Sequence, residues 1–363
     1  MKNKNKIWIV AAGTGGHIFP GIALAKEFKL RHPNLEIEFF GTKDRLEEKL
    51  IPKHGFPITF LKAKQWKGKN FLHRFGAVSA LFESLILLFK KAAFEKPLCL
   101  ISVGGYVSMP VGLACWLRGI PVFLVEPNIR AGISNKILSQ FACKAFTVPG
   151  SDALQKFKCS TFDTGNPVMG RFELNPIRKE AQNILILGGS QGARILCSVG
   201  LKVFKRLQEK GFSFRLLLQS GEKNLEDSLA LKKQLALGDE CEIQPFFHDV
   251  PEKLKWADVI IARAGAMTLT ELSLTCVPSI LVPFPAAADD HQRVNARILE
   301  SDGAVRVVDE KEKDFENLLE INLRELLSST QGHNARSLLA KNMNKFARPQ
   351  ATQRIASEIL NSL

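Results

Sequence analysis

Closely spaced cysteine pairs are missing from this chain: its seven cysteines, Cys99, Cys115, Cys143, Cys159, Cys197, Cys241 and Cys276, are odd in number, scattered, and nowhere form Cys-x-x-Cys. That excludes a disulfide framework and a zinc-ribbon site, and it fits a reducing cytosol. Also missing is any run of the roughly 18–20 apolar residues that a spanning helix needs; the best candidate, Ala77 to Phe89, is interrupted by Glu83. Any membrane contact must therefore be peripheral. The N-terminal Met1-Lys-Asn-Lys-Asn-Lys6 and the apolar Ile7 to Ala12 reach glycines too soon for a signal peptide, and read as a basic tail and a first buried strand. The chain has no Gly-x-x-x-x-Gly-Lys-Ser/Thr and no correctly spaced Gly-x-Gly-x-x-Gly, which excludes the Walker and dinucleotide fingerprints. It has no Asp-x-Asp pair to carry a metal-bound diphosphate.

What the chain does have is size and positive charge. Its 363 residues suit two domains at about 150 residues each, and 45% hydrophobic with 24% charged residues is ordinary for a globular protein. A net charge of +14 commonly means phosphate in some form: nucleic acid, anionic headgroups or a diphosphate ligand. The basic residues cluster with aliphatics instead of lining a repeated aromatic platform, which argues against nucleic acid.

Short runs of Ile, Val, Leu and Phe alternate with helical patterns, predicting an α/β protein with doubly wound parallel sheets. Strands are expected at Ile7–Val10, Glu36–Phe40, Leu98–Val103, Val122–Val125 and Ala145–Val148, with helices at Pro20–Arg31, Ala77–Ala93, Met109–Leu117 and Ile133–Gln140. A second series of strands restarts at Asn183–Leu187 and continues at Phe214–Leu218, Glu242–Phe246, Val259–Ala262 and Ser279–Val282. Turn formers gather between residues 163 and 180, so the expected domains are 1–165 and 166–345, with a last helix in 346–363 packing back on the first.

Each series opens with a strand followed by a glycine-rich turn, Gly13-Thr-Gly-Gly-His17 and Gly188-Gly-Ser-Gln-Gly192. Such turns let backbone N–H groups approach phosphate oxygens at a helix N-terminus. The plain alternative, tight strand-to-helix turns, is weakened because both occupy the first turn of their unit. A third cluster, Arg263-Ala-Gly-Ala-Met-Thr-Leu-Thr-Glu271, again opens a helix, and Glu271 one turn in can accept two hydrogen bonds from a ribose diol. In Asp289-Asp-His-Gln-Arg-Val-Asn295, adjacent side chains diverge too much for a metal site, whereas Gln292 and Asn295 share a helix face suited to sugar hydroxyls.

Together with Gly104-Gly-Tyr-Val-Ser108 and Gly165-Asn-Pro167, these motifs resemble the MurG family of peripheral membrane N-acetylglucosaminyltransferases, which complete lipid II in bacterial peptidoglycan synthesis. They occur in the family's order and span the chain from about residue 7 onward. The resemblance implies a GT-B fold, two Rossmann-like domains facing a cleft. It implies inverting transfer of N-acetylglucosamine from UDP-N-acetylglucosamine to the 4-hydroxyl of the muramoyl sugar of undecaprenyl-diphosphate-linked lipid I. It also implies a place on the cytoplasmic face of the cell membrane beside other cell-wall synthesis proteins. A nucleotide-sugar 2-epimerase or a diacylglycerol glycosyltransferase on the same scaffold is the rival, and a nucleic-acid-binding protein a more distant one. No cofactor and no essential metal are expected.

Carried over by position, donor binding falls to Thr14, Gly15, Gly16, Asn128, Ser190, Phe247, Ala266, Met267, Thr268, Leu269, Thr270, Glu271 and Gln292, with Phe247 offering its backbone to uracil. Gly13, Gly104, Gly105, Tyr106 and Asn295 line the acceptor side, and His17 and Glu126 are the catalytic candidates. His17 is the first choice for general base, because a helix N-terminus keeps an imidazole neutral. Three positions depart from the family: Met169 stands where arginine is usual, leaving Arg171 or Arg194 as substitutes, and Pro127 and His291 stand where glutamine is frequent. Between Lys62 and Lys96, eight basic residues interleave with large apolar ones, among them Phe71, Phe75 and Phe82. That mixture suits an anionic membrane surface, a reading preferred for the cluster over the plain one in which Phe75, Phe82 and Phe89 form the buried stripe of an ordinary helix.

Overall fold

The computed structural model describes residues 5–61, 84–189, 192–287 and 290–363. Two compact units make up the chain, one of Met1–Met169 with Gln350–Leu363 and one of Gly170–Pro349. Phe71, Phe75 and Phe82 lie outside the described residues, as does the first part of the helix expected at Ala77–Ala93, of which 84–95 is helical.

The first unit holds seven parallel strands, β1 (Lys6–Ala11), β2 (Glu36–Gly41), β3 (Ile58–Phe60), β4 (Cys99–Gly104), β5 (Val122–Glu126), β6 (Lys144–Thr147) and β7 (Ser160–Asp163), in the order 3-2-1-4-5-6-7. Every residue of β4 is buried, and so is all of β1 after Lys6. Strands covered on both faces need continuous apolar sequence instead of alternation, which Ile7-Trp-Ile-Val-Ala11 supplies. Odd and even residues feed different cores: Ile7, Ile9 and Ala11 join Ile22 and Phe28 on one face, while Trp8, Val10 and Ala12 join Leu88 and Val111 on the other.

The second unit repeats the plan with β8 (Asn183–Leu187), β9 (Arg215–Gln219), β10 (Cys241–Gln244), β11 (Val259–Ala262), β12 (Ser279–Leu281) and β13 (Arg306–Val307), all parallel, in the order 10-9-8-11-12-13. In each sheet the strand order reverses beside the first strand, between β1 and β4 and again between β8 and β11. Connections there diverge to opposite sides, opening a crevice beyond the carboxyl ends of the strands. Three strands, β3, β7 and β13, were not expected from sequence. All are short, each closes one edge of a sheet, and none is continuously buried.

The last helix, Ala351–Leu360, belongs to the first unit. Ile355, Ala356 and Ile359 are fully buried in the core that also holds Ile22, Ala25 and Phe28. Arg31 Nη1 donates to Ser357 Oγ at 2.7 Å and Nη2 to the Gln353 carbonyl at 3.0 Å, while Lys144 pairs with Glu358 at 2.8 Å. Among the described residues no helix is long and apolar enough to cross a membrane. All seven cysteines carry free thiols.

Replacing Ile355 by Ala should cost the first unit about 2–5 kcal/mol through lost burial and a residual cavity. Hydrogen exchange should then speed up in β1 and in the helix Gly15–Arg31, with β8 and β11 keeping their protection.

Candidate active site

At the mouth of the first sheet, β1 runs through the Gly13 turn into the helix Gly15–Arg31. The Thr14 side chain does not cap this helix, so its first-turn N–H groups are left unclaimed by a side-chain cap and form an electropositive end. Thr14 Oγ1 lies 3.4 Å from His17 Nδ1 instead. The ring of His17 presses against the turn after β4, where a Cβ on Gly104 would stand 2.9 Å from Cδ2 and 3.0 Å from Nε2. Gly105 has a φ of +96°, and a Cβ there would meet the Ala12 carbonyl at 2.7 Å. Only glycine lets these two turns approach so closely. The structure thus brings Gly13, Gly104, Gly105 and His17 together at the reversal point of one sheet.

A residue not singled out from sequence ties this mouth together. Glu47, with no exposed surface, accepts the Gly13 N–H at Oε2 (3.2 Å) and both the Thr42 N–H (3.2 Å) and the Thr42 hydroxyl (2.8 Å) at Oε1. Tyr106 in turn donates its hydroxyl to Thr42 Oγ1 at 3.2 Å.

Glu126, at the end of β5, is engaged differently from a free base. It is 1% exposed; Oε1 accepts the Asn128 N–H and side-chain amide at 3.1 and 3.3 Å, and Oε2 accepts the Gly132 N–H at 2.9 Å and Asn135 Nδ2 at 3.1 Å. Burial pushes its carboxyl above the usual range against these four hydrogen bonds. This geometry makes Glu126 the organiser of the 127–132 loop, and holds Asn128 in place through its backbone and side chain alike.

In the second unit, Ser190 and Gln191 lie outside the described residues, but the frame of their turn is visible. Gln219, 4% exposed at the end of β9, donates Nε2 to the Gly189 carbonyl at 3.1 Å and accepts the Phe247 N–H on Oε1 at 3.1 Å. One amide therefore braces both the glycine turn and the segment expected to meet uracil. Because the Phe247 N–H is occupied and its ring is buried, only its carbonyl remains to serve a base.

The helix Ala266–Thr275 starts after β11. Along it Leu269 packs into the core and Thr270 Oγ1 turns back to the Ala266 carbonyl at 2.9 Å, while Ala266, Met267, Thr268 and Glu271 are half-buried. The Glu271 carboxyl has no hydrogen-bond partner among the described residues, and burial raises its pKa to about 7. Gln292 accepts the Phe284 N–H at 3.0 Å, and Asn295 is buried, so the two amides of this helix do not present themselves equally. Met169 packs against the core of the first unit, and Arg194 pairs with Asp227 at 3.6 Å. Among the described residues no three His, Cys, Asp or Glu side chains converge as a metal site would require.

Comparison with known proteins agrees with this geometry. Residues 7–147 match the glycosyltransferase family 28 N-terminal domain and residues 183–355 its C-terminal domain. The UDP-N-acetylglucosamine--N-acetylmuramyl-(pentapeptide) pyrophosphoryl-undecaprenol N-acetylglucosamine transferase of Anaeromyxobacter sp. (strain Fw109-5) is 36% identical, the match covering 97% of this chain and 92% of that protein. The protein of that name from Myxococcus xanthus is also 36% identical, with 97% and 91% covered. The crystal structure of Acinetobacter baumannii MurG superposes with a TM-score of 0.77 at 28% identity, covering 98% of this chain and 99% of that one. A putative UDP-N-acetylglucosamine 2-epimerase from Listeria monocytogenes reaches a TM-score of 0.68 at 14% identity, with 99% and 97% covered, and shares the fold alone. With both domain models matched in order and full-length relatives above 30% identity, the chain belongs to glycosyltransferase family 28.

Proposed function

We propose that the protein transfers N-acetylglucosamine from UDP-N-acetylglucosamine to the 4-hydroxyl of the muramoyl sugar of undecaprenyl-diphosphate-linked lipid I, with inversion, giving lipid II. The observation that carries this is full-length similarity to transferases of that name, with a glycine turn at the reversal point of both sheets. Inversion requires one in-line displacement, in which a base takes the acceptor proton while UDP departs. Developing charge on the leaving diphosphate suits the preorganised N–H groups of a glycine turn and helix N-terminus, so no metal is required. The second unit supplies the donor site: the turn held by Gln219 for the diphosphate, the Phe247 carbonyl for the base, and Glu271 for the ribose. In the first unit His17 acts as base or its direct support, Thr14, Gly15, Gly16 and Asn128, the last set by Glu126, serve the donor, and Tyr106 serves the acceptor.

A peripheral site on the cytoplasmic face of the membrane fits the basic and apolar composition of Lys62 to Lys96 and the described surface of helix 84–95. Ile86, Leu87 and Phe94 of helix 84–95 are exposed, as are Trp116 and Leu117 nearby in sequence to Arg118, whose guanidinium lies 3.6 Å from the Phe89 ring centroid. Exposed apolar side chains among lysines and arginines suit anionic lipid.

Label from UDP-N-acetylglucosamine should enter a lipid I analogue and survive EDTA; free N-acetylmannosamine or UDP-N-acetylmannosamine without lipid product would favour an epimerase. Replacing Glu271 by Ala should weaken UDP binding by about 1–3 kcal/mol in calorimetry. Since the folded carboxyl holds its proton to about pH 7 and an unfolded one releases it near 4.5, Glu271 makes the free protein less stable as pH rises through that window. The ionised carboxylate is the better acceptor of two hydroxyls, so UDP affinity should rise over the same window, and Glu271→Gln should flatten both profiles. His17→Ala should lower kcat about 10²- to 10⁴-fold with donor Kd unchanged; a raised acceptor KM at nearly normal kcat would make it a binding residue.

A further inference from the structure

We infer that Glu47 is a positioning residue for the acceptor side of the site, an assignment that rests on the transferase function proposed above. Three turns at the carboxyl edge of the first sheet converge on its side chain. Gly13 follows β1, Thr42 follows β2, and Tyr106, which follows β4, reaches the carboxylate through the Thr42 hydroxyl. No part of Glu47 is exposed, so it works through these neighbours and does not touch a ligand.

The neighbourhood is built around this side chain. A Cβ on Gly41 would stand 2.8 Å from Glu47 Cγ, so the end of β2 is kept bare where the carboxylate passes. Glu47 enters from the first turn of the helix Leu46–Lys53, packed beside the sheet, which fixes its origin independently of the turns it holds. A carboxylate in this place is an acceptor only, and all three of its direct partners are donors. An amide in its place would have to turn an N–H toward either the Gly13 N–H or the Thr42 donors, breaking one side of the clamp. The expected consequence is a shift of the Gly13–His17 turn relative to Tyr106, with the fold and the second unit left intact. Misplacement on the scale of 1 Å is enough to slow an oriented reaction about 10²-fold.

The test compares Glu47→Gln, Tyr106→Phe, the double variant and Thr42→Val, using UDP calorimetry and steady-state transfer to a lipid I analogue. Glu47→Gln should lower kcat/KM for the acceptor about 10- to 100-fold while UDP Kd stays within about twofold. The penalty of Tyr106→Phe should shrink several-fold in the Glu47→Gln background, because the hydroxyl is then already displaced. Thr42→Val removes the hydroxyl between the two and should give the same split even if Glu47→Gln fails to fold. Unaltered acceptor kinetics, independent multiplying losses, or a parallel loss of UDP affinity would each overturn the role of Glu47. Wild-type protein that labels no lipid I analogue would overturn the transferase function itself, separating the two failures.

Discussion

A backbone amide offered to a ligand cannot also hold its own loop together. This constraint shapes both units, because each places a glycine-rich turn where the strand order reverses, and such turns are useful only while their N–H groups stay available. Rigidity has to come from elsewhere, and it comes from buried polar side chains. Glu47 secures the first turn from the side, through Gly13 alone, without capping the helix that follows. Gln219 secures the second through the Gly189 carbonyl, an acceptor of the turn and not one of its donors. Glu126 holds the loop after β5 differently, by accepting the Asn128 and Gly132 N–H groups.

These braces are costly groups to bury. An unpaired carboxylate in the interior would be destabilising by several kcal/mol, so each is retained only with its hydrogen-bonding capacity largely filled. Glu271 is the exception. It is half-buried, its carboxyl has no partner among the described residues, and its raised pKa follows from burial alone. In the proposed ribose role, Glu271 carries this cost until hydroxyl groups arrive, and the cost is spread over pH as a titration.

Much of the architecture was legible in the chain because strands covered on both faces need apolar runs, and Ile7-Trp-Ile-Val-Ala11 and Val259-Ile-Ile-Ala262 are such runs. The glycine turns were legible for a related reason: a strand that ends in several glycines before a helix states its geometry locally. Three of the four edge strands were not. Ser160–Asp163 alternates between half-buried and exposed positions, and its identity as a strand comes from pairing with Lys144–Thr147. Glu47 and Gln219 were not legible either, since Gly13 lies 34 residues from Glu47, and Gly189 and Phe247 lie 30 and 28 from Gln219. Glu126 enters only through the family resemblance, as a catalytic candidate, and its hold on the following loop shows only once Gly132 and Asn135 fold back onto it. Conversely, Leu269 sits within a motif of donor-binding type yet serves the core.

The helix Ala351–Leu360 fills the core of a unit whose other elements precede Gly170. On the ribosome, chain order makes it emerge after the whole of the second unit. Until then Ile22, Ala25 and Phe28 lack the neighbours Ile355, Ala356 and Ile359 that share their core. Domains usually complete folding in the order in which they are synthesised. Here the order is reversed: the unit begun first is finished last, and the nascent chain carries an uncovered apolar face through the translation of about half its length.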